Sequence, residues 1–382
     1  MKKIIFLVLF VKIIFFIVIY VGYKSYPFHV TSIQKDDIRF YLNPQDPQDQ
    51  KVNFLSTLQT WDAGYYRFLA EHGYQQDQDQ VSNAMYPLFP LLVRLVNPVF
   101  FGNTVLAGIV LSNLFSIIAV LLLYLLVIKL FSPDIAFKTI LLFLSFPTAF
   151  YMNLMYTESL FLMLVLGFFY YLYNNKIIPT AVFALLLPLC RPQGILIVVP
   201  LVFFILSKYK YKLLDVLKSK ENILVAVFFL GWTAYFCFMY MTTGLFFSGF
   251  DAQDYFVAQN SLLNIFRVDQ WFLDNFINVE LSLHGFTNSI IDRTFFIFYL
   301  VSLYFIYRKT DKTFFVYALF LGLIPALSDH FTAYTRYLLP LFPMFIVFSI
   351  VLKNKVFNLI VVLLFSIQII FAVRHCLNYW VA

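Results

Sequence analysis

Apolar runs near the length of a bilayer crossing, repeated from one end of the chain to the other, leave few folds open to it. The first occupies residues 4–23, and others follow at 104–130, 135–152, 157–173, 177–190 and 194–206. The second half adds 223–241, 294–307, 313–327, 337–352 and 356–373. About 20 apolar residues in an α-helix cross the ~30 Å hydrocarbon core of a membrane. Inside lipid, backbone N–H and C=O groups must be paired within the segment itself, which makes such runs helices. The sequence therefore predicts an all-α polytopic membrane protein, one integral membrane domain over residues 1–382 with about eleven spanning helices. Several of the runs fall short of a full crossing.

Composition closes the soluble alternative. Charged residues are 12% of the chain and hydrophobic ones 62%, whereas a soluble domain carries about 25% charged residues. The opening Met-Lys-Lys and its apolar run resemble a signal peptide. The run is about twenty residues long and has no small-x-small cleavage site, so it reads as a retained first helix. Cys190, Cys237 and Cys376 lie singly in apolar stretches, with no spacing that suggests a disulfide framework or a zinc site.

The net charge of +7 is unevenly distributed. With residue 1 in the cytoplasm and eleven alternating crossings, the cytoplasmic loops collect fifteen basic residues and four acidic ones. The opposite side collects eleven basic and sixteen acidic residues. This is the positive-inside pattern, and it accounts for the basic excess without nucleic acid. Two large loops fall on the outer side of a cytoplasmic or endoplasmic-reticulum-like membrane, at 25–101 and 242–293. Function is expected there.

The first loop contains Trp61-Asp62-Ala63-Gly64-Tyr65-Tyr66-Arg67-Phe68-Leu69, closed by Gly73-Tyr74. Trp61, Tyr65, Phe68 and Leu69 recur at helical spacing, which predicts an amphipathic helix on the membrane surface with Asp62 at its start and Gly73 as its stop. Asp62 there is either a helix N-terminal charge or a functional carboxylate. Tyr86-Pro87-Leu88-Phe89-Pro90-Leu91 forms a second interfacial segment. Farther on, Glu158 lies at the edge of an apolar run, where a carboxylate calls for a partner or a watery cavity. Arg191 and Arg336 interrupt apolar runs on the same side. Each alone reads as an interfacial snorkelling residue; together with a carboxylate they suit an anionic lipid phosphate and the activation of an acceptor hydroxyl.

These strings, with Phe146-Pro147-Thr148-Ala149-Phe150, Tyr156-Thr157-Glu158-Ser159-Leu160-Phe161 and Arg191-Pro192-Gln193-Gly194, resemble the PIG-V family of mannosyltransferases in order and spacing from residue 61 to 194. Those enzymes add the second mannose in GPI-anchor synthesis and have prokaryotic relatives. Arg336 to Pro340 adds a weaker match. The resemblance implies a GT-C fold and an inverting transfer of a sugar, mannose by the family name, from a polyprenyl-phosphate donor to a glycan or glycolipid acceptor. It implies Asp62 as catalytic base, Arg191 and Arg336 on the phosphate, and Glu158, Trp61, Tyr65 and His330 as substrate contacts. Neither a metal nor another cofactor is called for. The extra Gln/Asp-rich stretch in the first loop departs from the family pattern, and a prokaryotic relative leaves the acceptor open.

Asp77-Gln78-Asp79 has the Asp-x-Asp spacing of a metal signature, but it lies in a Gln-rich loop and reads as solvated. Asp251 and Asp254 read likewise, and His72 as the polar face of its helix. Two rivals stand beside the enzyme: a lipid-linked sugar transporter or flippase, and a non-catalytic subunit of a glycosylation complex. A transporter would spread polar residues through the bilayer depth, whereas here only Lys12 and Gln368 stand out within the apolar runs.

Overall fold

The computed structural model describes residues 1–30, 41–42, 51–76, 81–255, 266–327 and 331–381. Among these the chain is helical, with no β-strand. The helices are α1 Lys2–Ser25, α2 Asp62–His72, α3 Leu88–Val96, α4 Thr104–Leu130, α5 Pro133–Leu144, α6 Glu158–Tyr173, α7 Ile177–Cys190 and α8 Val198–Lys208. They continue with α9 Leu213–Leu217, α10 Asn222–Thr243, α11 Ser248–Asp251, α12 Val268–Phe272, α13 Ile290–Lys309, α14 Lys312–Ala326, α15 Tyr334–Tyr337, α16 Phe342–Val351 and α17 Asn354–Cys376.

Five helices, α1, α4, α10, α13 and α17, are long and apolar enough to cross a membrane, and the protein is an integral membrane protein. The other predicted runs are also helical but shorter. Two differ from expectation. The run 135–152 is helical only to Leu144 and resumes as a separate 3-10 turn at Ala149–Asn153, because Pro147 between them cannot donate a backbone hydrogen bond. The run 337–352 starts its long helix at Phe342, with Pro340 and Pro343 on either side of the restart.

Capping fixes several helix starts. Asn103 Oδ1 accepts from Leu106 N at 3.0 Å, Ser132 Oγ from Ile135 N at 3.3 Å and Asp311 Oδ1 from Thr313 N at 2.7 Å. Gly73, at φ +80, stops α2 in a conformation that side-chain-bearing residues avoid. The Arg-Pro-x-Gly string follows α7, and a β-carbon on Gly194 would lie 2.1 Å from the Leu187 carbonyl oxygen. Only glycine allows the chain to fold back that closely on α7.

Packing runs in a chain of neighbours. α4 lies on α6, α6 on α7, and α7 on α10, while α5 packs on α16 and α1 along α17. The α2 helix corrects one expectation. It is buried over most of its circumference, and Arg67 on it is only 2% exposed. Arg67 donates to the Tyr41 carbonyl at 2.8 Å and to Gln59 Oε1, so it ties α2 to the chain before it. Trp61 precedes α2 instead of belonging to its apolar face, with φ 56 and ψ −130. The Tyr86–Leu91 block is packing: Phe89 meets Tyr66 edge-on at 5.5 Å and Tyr86 stacks on Tyr235 at 4.5 Å.

Candidate active site

Four charged residues far apart in sequence meet where α2, α6, the turn after α7 and α15 converge. Arg336 is the hub. Its Nη1 lies 2.8 Å from Asp62 Oδ2, and its Nε lies 2.5 Å from Glu158 Oε1. Arg191 Nη1 lies 2.8 Å from the same Glu158 oxygen. Two guanidinium groups thus face two carboxylates, with no excess charge of either sign. Such matching is what allows charges to stay buried. Glu158 is 1% exposed, Arg336 10%, Arg191 12% and Asp62 28%, so Asp62 is the member most open to a ligand.

The cluster is held by its surroundings. Burial opposes the charge on Arg336, but Glu158 and Asp62 outweigh it and hold the guanidinium well above its ordinary pKa. Arg191 is likewise raised, with burial overcome by Glu158. The Arg336 guanidinium also lies over the rings of Tyr151 and Tyr156, 4.6 and 4.9 Å from their centroids, and Arg191 lies 5.9 Å from that of Phe161. Tyr156 donates its hydroxyl to the Thr60 carbonyl at 2.8 Å, two residues before Asp62. His375, from α17, is within 3.3 Å of the Tyr151 hydroxyl and 3.0 Å of the Tyr156 hydroxyl.

The backbone that presents Arg336 is clamped one residue earlier. Asp292, 1% exposed, accepts from Thr335 N at 2.8 Å and from Thr335 Oγ1 at 2.6 Å. Thr148 Oγ1 donates to the Thr335 carbonyl at 3.2 Å. Three polar contacts therefore fix the direction in which the next side chain leaves the chain.

Two polar atoms of the site have no hydrogen-bond partner among the described residues: Glu158 Oε2 and Trp61 Nε1, both buried. Buried polar atoms almost always find partners, so these two are exceptions beside the charged cluster.

Asp62, Glu158, Arg191 and Arg336, singled out from the sequence, come together, and Trp61 adjoins them. Tyr65 is half-buried on α2; it is the next residue, Tyr66, whose hydroxyl lies 3.2 Å from Thr157 Oγ1. His330, Asp77 and Asp79 lie outside the described residues, and so does the side chain of Asp254. Asp251 is exposed and His72 is 41% exposed. Sequence reasoning missed Tyr151, Tyr156, His375 and Asp292. Tyr151 and Tyr156 do stand in the strings that flank Glu158; Asp292 and His375 carried no signal beyond being polar at the end of an apolar run.

No family model matches the chain, and no curated protein matches it. Among solved structures, it is similar to the oligosaccharyltransferase of Archaeoglobus fulgidus, crystallised tethered to an acceptor peptide containing the NVT sequon. The two share 11% identity at a TM-score of 0.47, over 98% of this chain and 55% of that one. The chain thus spans about half the length of that protein.

Proposed function

We propose that this protein is a membrane glycosyltransferase of GT-C type, moving a sugar from a polyprenyl-phosphate donor to a glycan or glycolipid acceptor at the outer side of the membrane. The single observation that carries this reading is the Asp62–Arg336–Glu158–Arg191 chain of contacts. It pairs one accessible carboxylate with two fixed cations, the set that an inverting displacement needs.

In that displacement the acceptor hydroxyl attacks the anomeric carbon as the bond to the phosphate oxygen breaks. Asp62 takes the hydroxyl proton, and Arg336 and Arg191 neutralise the departing phosphate. Asp62 shares Arg336 with Glu158, so a phosphate drawn to Arg336 competes with Asp62 for the same guanidinium. Donor binding then frees the base for the acceptor. Glu158 keeps the two arginines in place throughout. Mannose is the sugar suggested by the resemblance to the PIG-V family, and the reading requires no metal or other cofactor.

The transporter reading is less well supported. Lys12 and Gln368, the two polar residues that stand out within the apolar runs, direct their donors at protein acceptors. Lys12 Nζ reaches Asn113 Oδ1 and Asn153 Oδ1, and Gln368 Nε2 reaches the Leu144 and Phe146 carbonyls. That arrangement is a clasp between helices, not the lining of a passage.

The test is sugar transfer in membranes supplied with radiolabelled polyprenyl-phosphate mannose and an extract of candidate acceptors. Asp62→Asn should lower transfer by about 10²–10⁴-fold, the usual contribution of a general base, while eluting as the same folded species in detergent. Equal transfer by the variant would remove Asp62 as base. Transfer by neither protein, across several donor sugars, would favour the transporter or accessory-subunit reading.

A further inference from the structure

Beside the charged cluster stands an aromatic wall assembled from three distant parts of the chain. Trp61, from the first outer loop, meets Trp380 edge-on at 5.2 Å. Trp380, which follows α17, packs against Phe286 of the second outer loop at 4.2 Å. Trp61 and Trp380 are half-buried and Phe286 is exposed, so ring surface remains open at the site.

Three features occur together at this wall. Trp61 is held at φ 56 and ψ −130, a backbone conformation that residues with a β-carbon avoid and that tends to occur where function requires it. Its indole N–H is buried without an acceptor among the described residues, although a buried indole normally donates. The segment that carries Trp380 is also firmly placed. His284 contacts the Val381 carbonyl through Nε2 and Ser289 Oγ through Nδ1 at 2.8 Å, and its ring stacks on Phe371 at 4.6 Å. His29 N donates to the Leu377 carbonyl at 2.9 Å, and Asn378 Nδ2 donates to the His29 carbonyl at 2.8 Å.

A pyranose ring suits this arrangement. One face of a sugar presents C–H groups that carry partial positive charge and rest on the negative face of an aromatic ring. Its hydroxyls, around the rim, supply the acceptor that the indole N–H lacks. The wall adjoins Asp62 in the chain, and the cation–π contacts of Arg191 and Arg336 go to Phe161, Tyr151 and Tyr156 instead. The arginines that suit a phosphate thus make their ring contacts outside the wall, and Trp61 ties the wall to Asp62 as its neighbour in the chain. We propose that Trp61, Trp380 and Phe286 form the subsite for a sugar ring of the acceptor, with Trp61 Nε1 donating to one of its hydroxyls. This rests on the proposed glycosyltransferase activity, while the sugar site itself is testable without turnover.

The full chain in nanodiscs would be titrated with the methyl pyranosides of mannose, glucose and galactose, and with a blocked tetrapeptide, by saturation-transfer NMR. At least one pyranoside should bind saturably and the peptide should not. Trp61→Phe, which keeps a ring and removes the N–H, and Trp380→Ala should each weaken binding about tenfold or more, and Trp380→Tyr should restore it. Trp232→Phe, in α10, removes another unpartnered indole N–H, on a ring that packs against Phe229 and Phe236, and should change nothing. Binding of no pyranoside, or equal binding by Trp61→Phe and Trp380→Ala, would overturn the subsite. Where transfer is measurable, an unchanged acceptor KM in Trp380→Ala would overturn it while leaving the enzyme reading intact. Wall-dependent sugar binding in a protein that transfers nothing would keep the subsite and remove the enzyme.

Discussion

Lys12 and Arg336 are both basic residues buried in this membrane protein, and they are satisfied in opposite ways. Arg336 sits at helix ends, against two carboxylates and two tyrosine rings. Lys12 sits halfway along α1, against two amide oxygens, Asn113 Oδ1 at 2.9 Å and Asn153 Oδ1 at 2.7 Å. Around it is a cavity of about 30 Å³, bordered also by Gln368 and otherwise mostly by apolar side chains such as Val8, Phe15 and Phe365. The two clusters are joined by one short element: the turn Ala149–Asn153 gives Tyr151 to Arg336 and Asn153 to Lys12. The comparison separates two uses of a polar residue in lipid. Lys12 is spent on holding α1 to its neighbours. The cluster around Arg336 has full charges, one accessible carboxylate and two unpartnered buried atoms, and it is the part proposed to meet a ligand.

The largest effect expected from breaking this contrast comes from Glu158→Ala. It leaves two buried guanidinium groups short of a counter-charge, and losing one partner of a buried ion pair costs about 3–5 kcal/mol. A marked fall in the melting temperature followed by size-exclusion in detergent would register it; an unchanged melting temperature would mean that Glu158 does not hold the cluster. Asp292→Ala should come next. It strands the Thr335 N–H and hydroxyl, at about 1–3 kcal/mol, and it releases the backbone that aims Arg336. Its distinctive sign is a raised KM for the lipid-linked donor, which a purely structural residue would not produce at temperatures where the variant is folded.

Lys12→Met should cost a similar or smaller amount, about 1–3 kcal/mol, because the two asparagine oxygens lose their donor. Unlike Asp292→Ala, it should leave both substrate KM values unchanged. A loss of transfer by folded Lys12→Met would erase the distinction drawn between the two clusters. Gln368→Leu removes two hydrogen bonds but should have the smallest effect, about 1–2 kcal/mol, because the Phe146 carbonyl keeps its bond from Ala149 N at 2.9 Å. The same melting series would measure it, and a shift as large as that of Glu158→Ala would refute the ranking.

Much of the architecture was legible in the sequence because it rests on local rules. Residues 104–130 and 356–373 announce helices through composition alone, since a lipid environment leaves an apolar segment no other way to pair its backbone. Pro147 broke one predicted helix, a boundary that apolar run length does not reveal. For the site, Asp62, Glu158, Arg191 and Arg336 were visible as charges at the edges of apolar runs on one predicted side. Their order along the chain said nothing about Arg336 as the hub, since its contact with Asp62 spans 274 positions.

What the sequence by itself determined, then, is an all-helical membrane protein with its charged residues placed at the ends of particular helices, because the cost of burying charge in lipid acts residue by residue. The tertiary structure decided the rest. It turned Trp61 out of its helix into a strained backbone conformation, brought Trp380 and Phe286 to it, and set Asp292 behind Arg336. These contacts depend on which helices pack together and at what height, and no periodicity within one segment encodes that. In lipid such packing comes from side-chain fit and interhelical hydrogen bonds between distant parts of the chain.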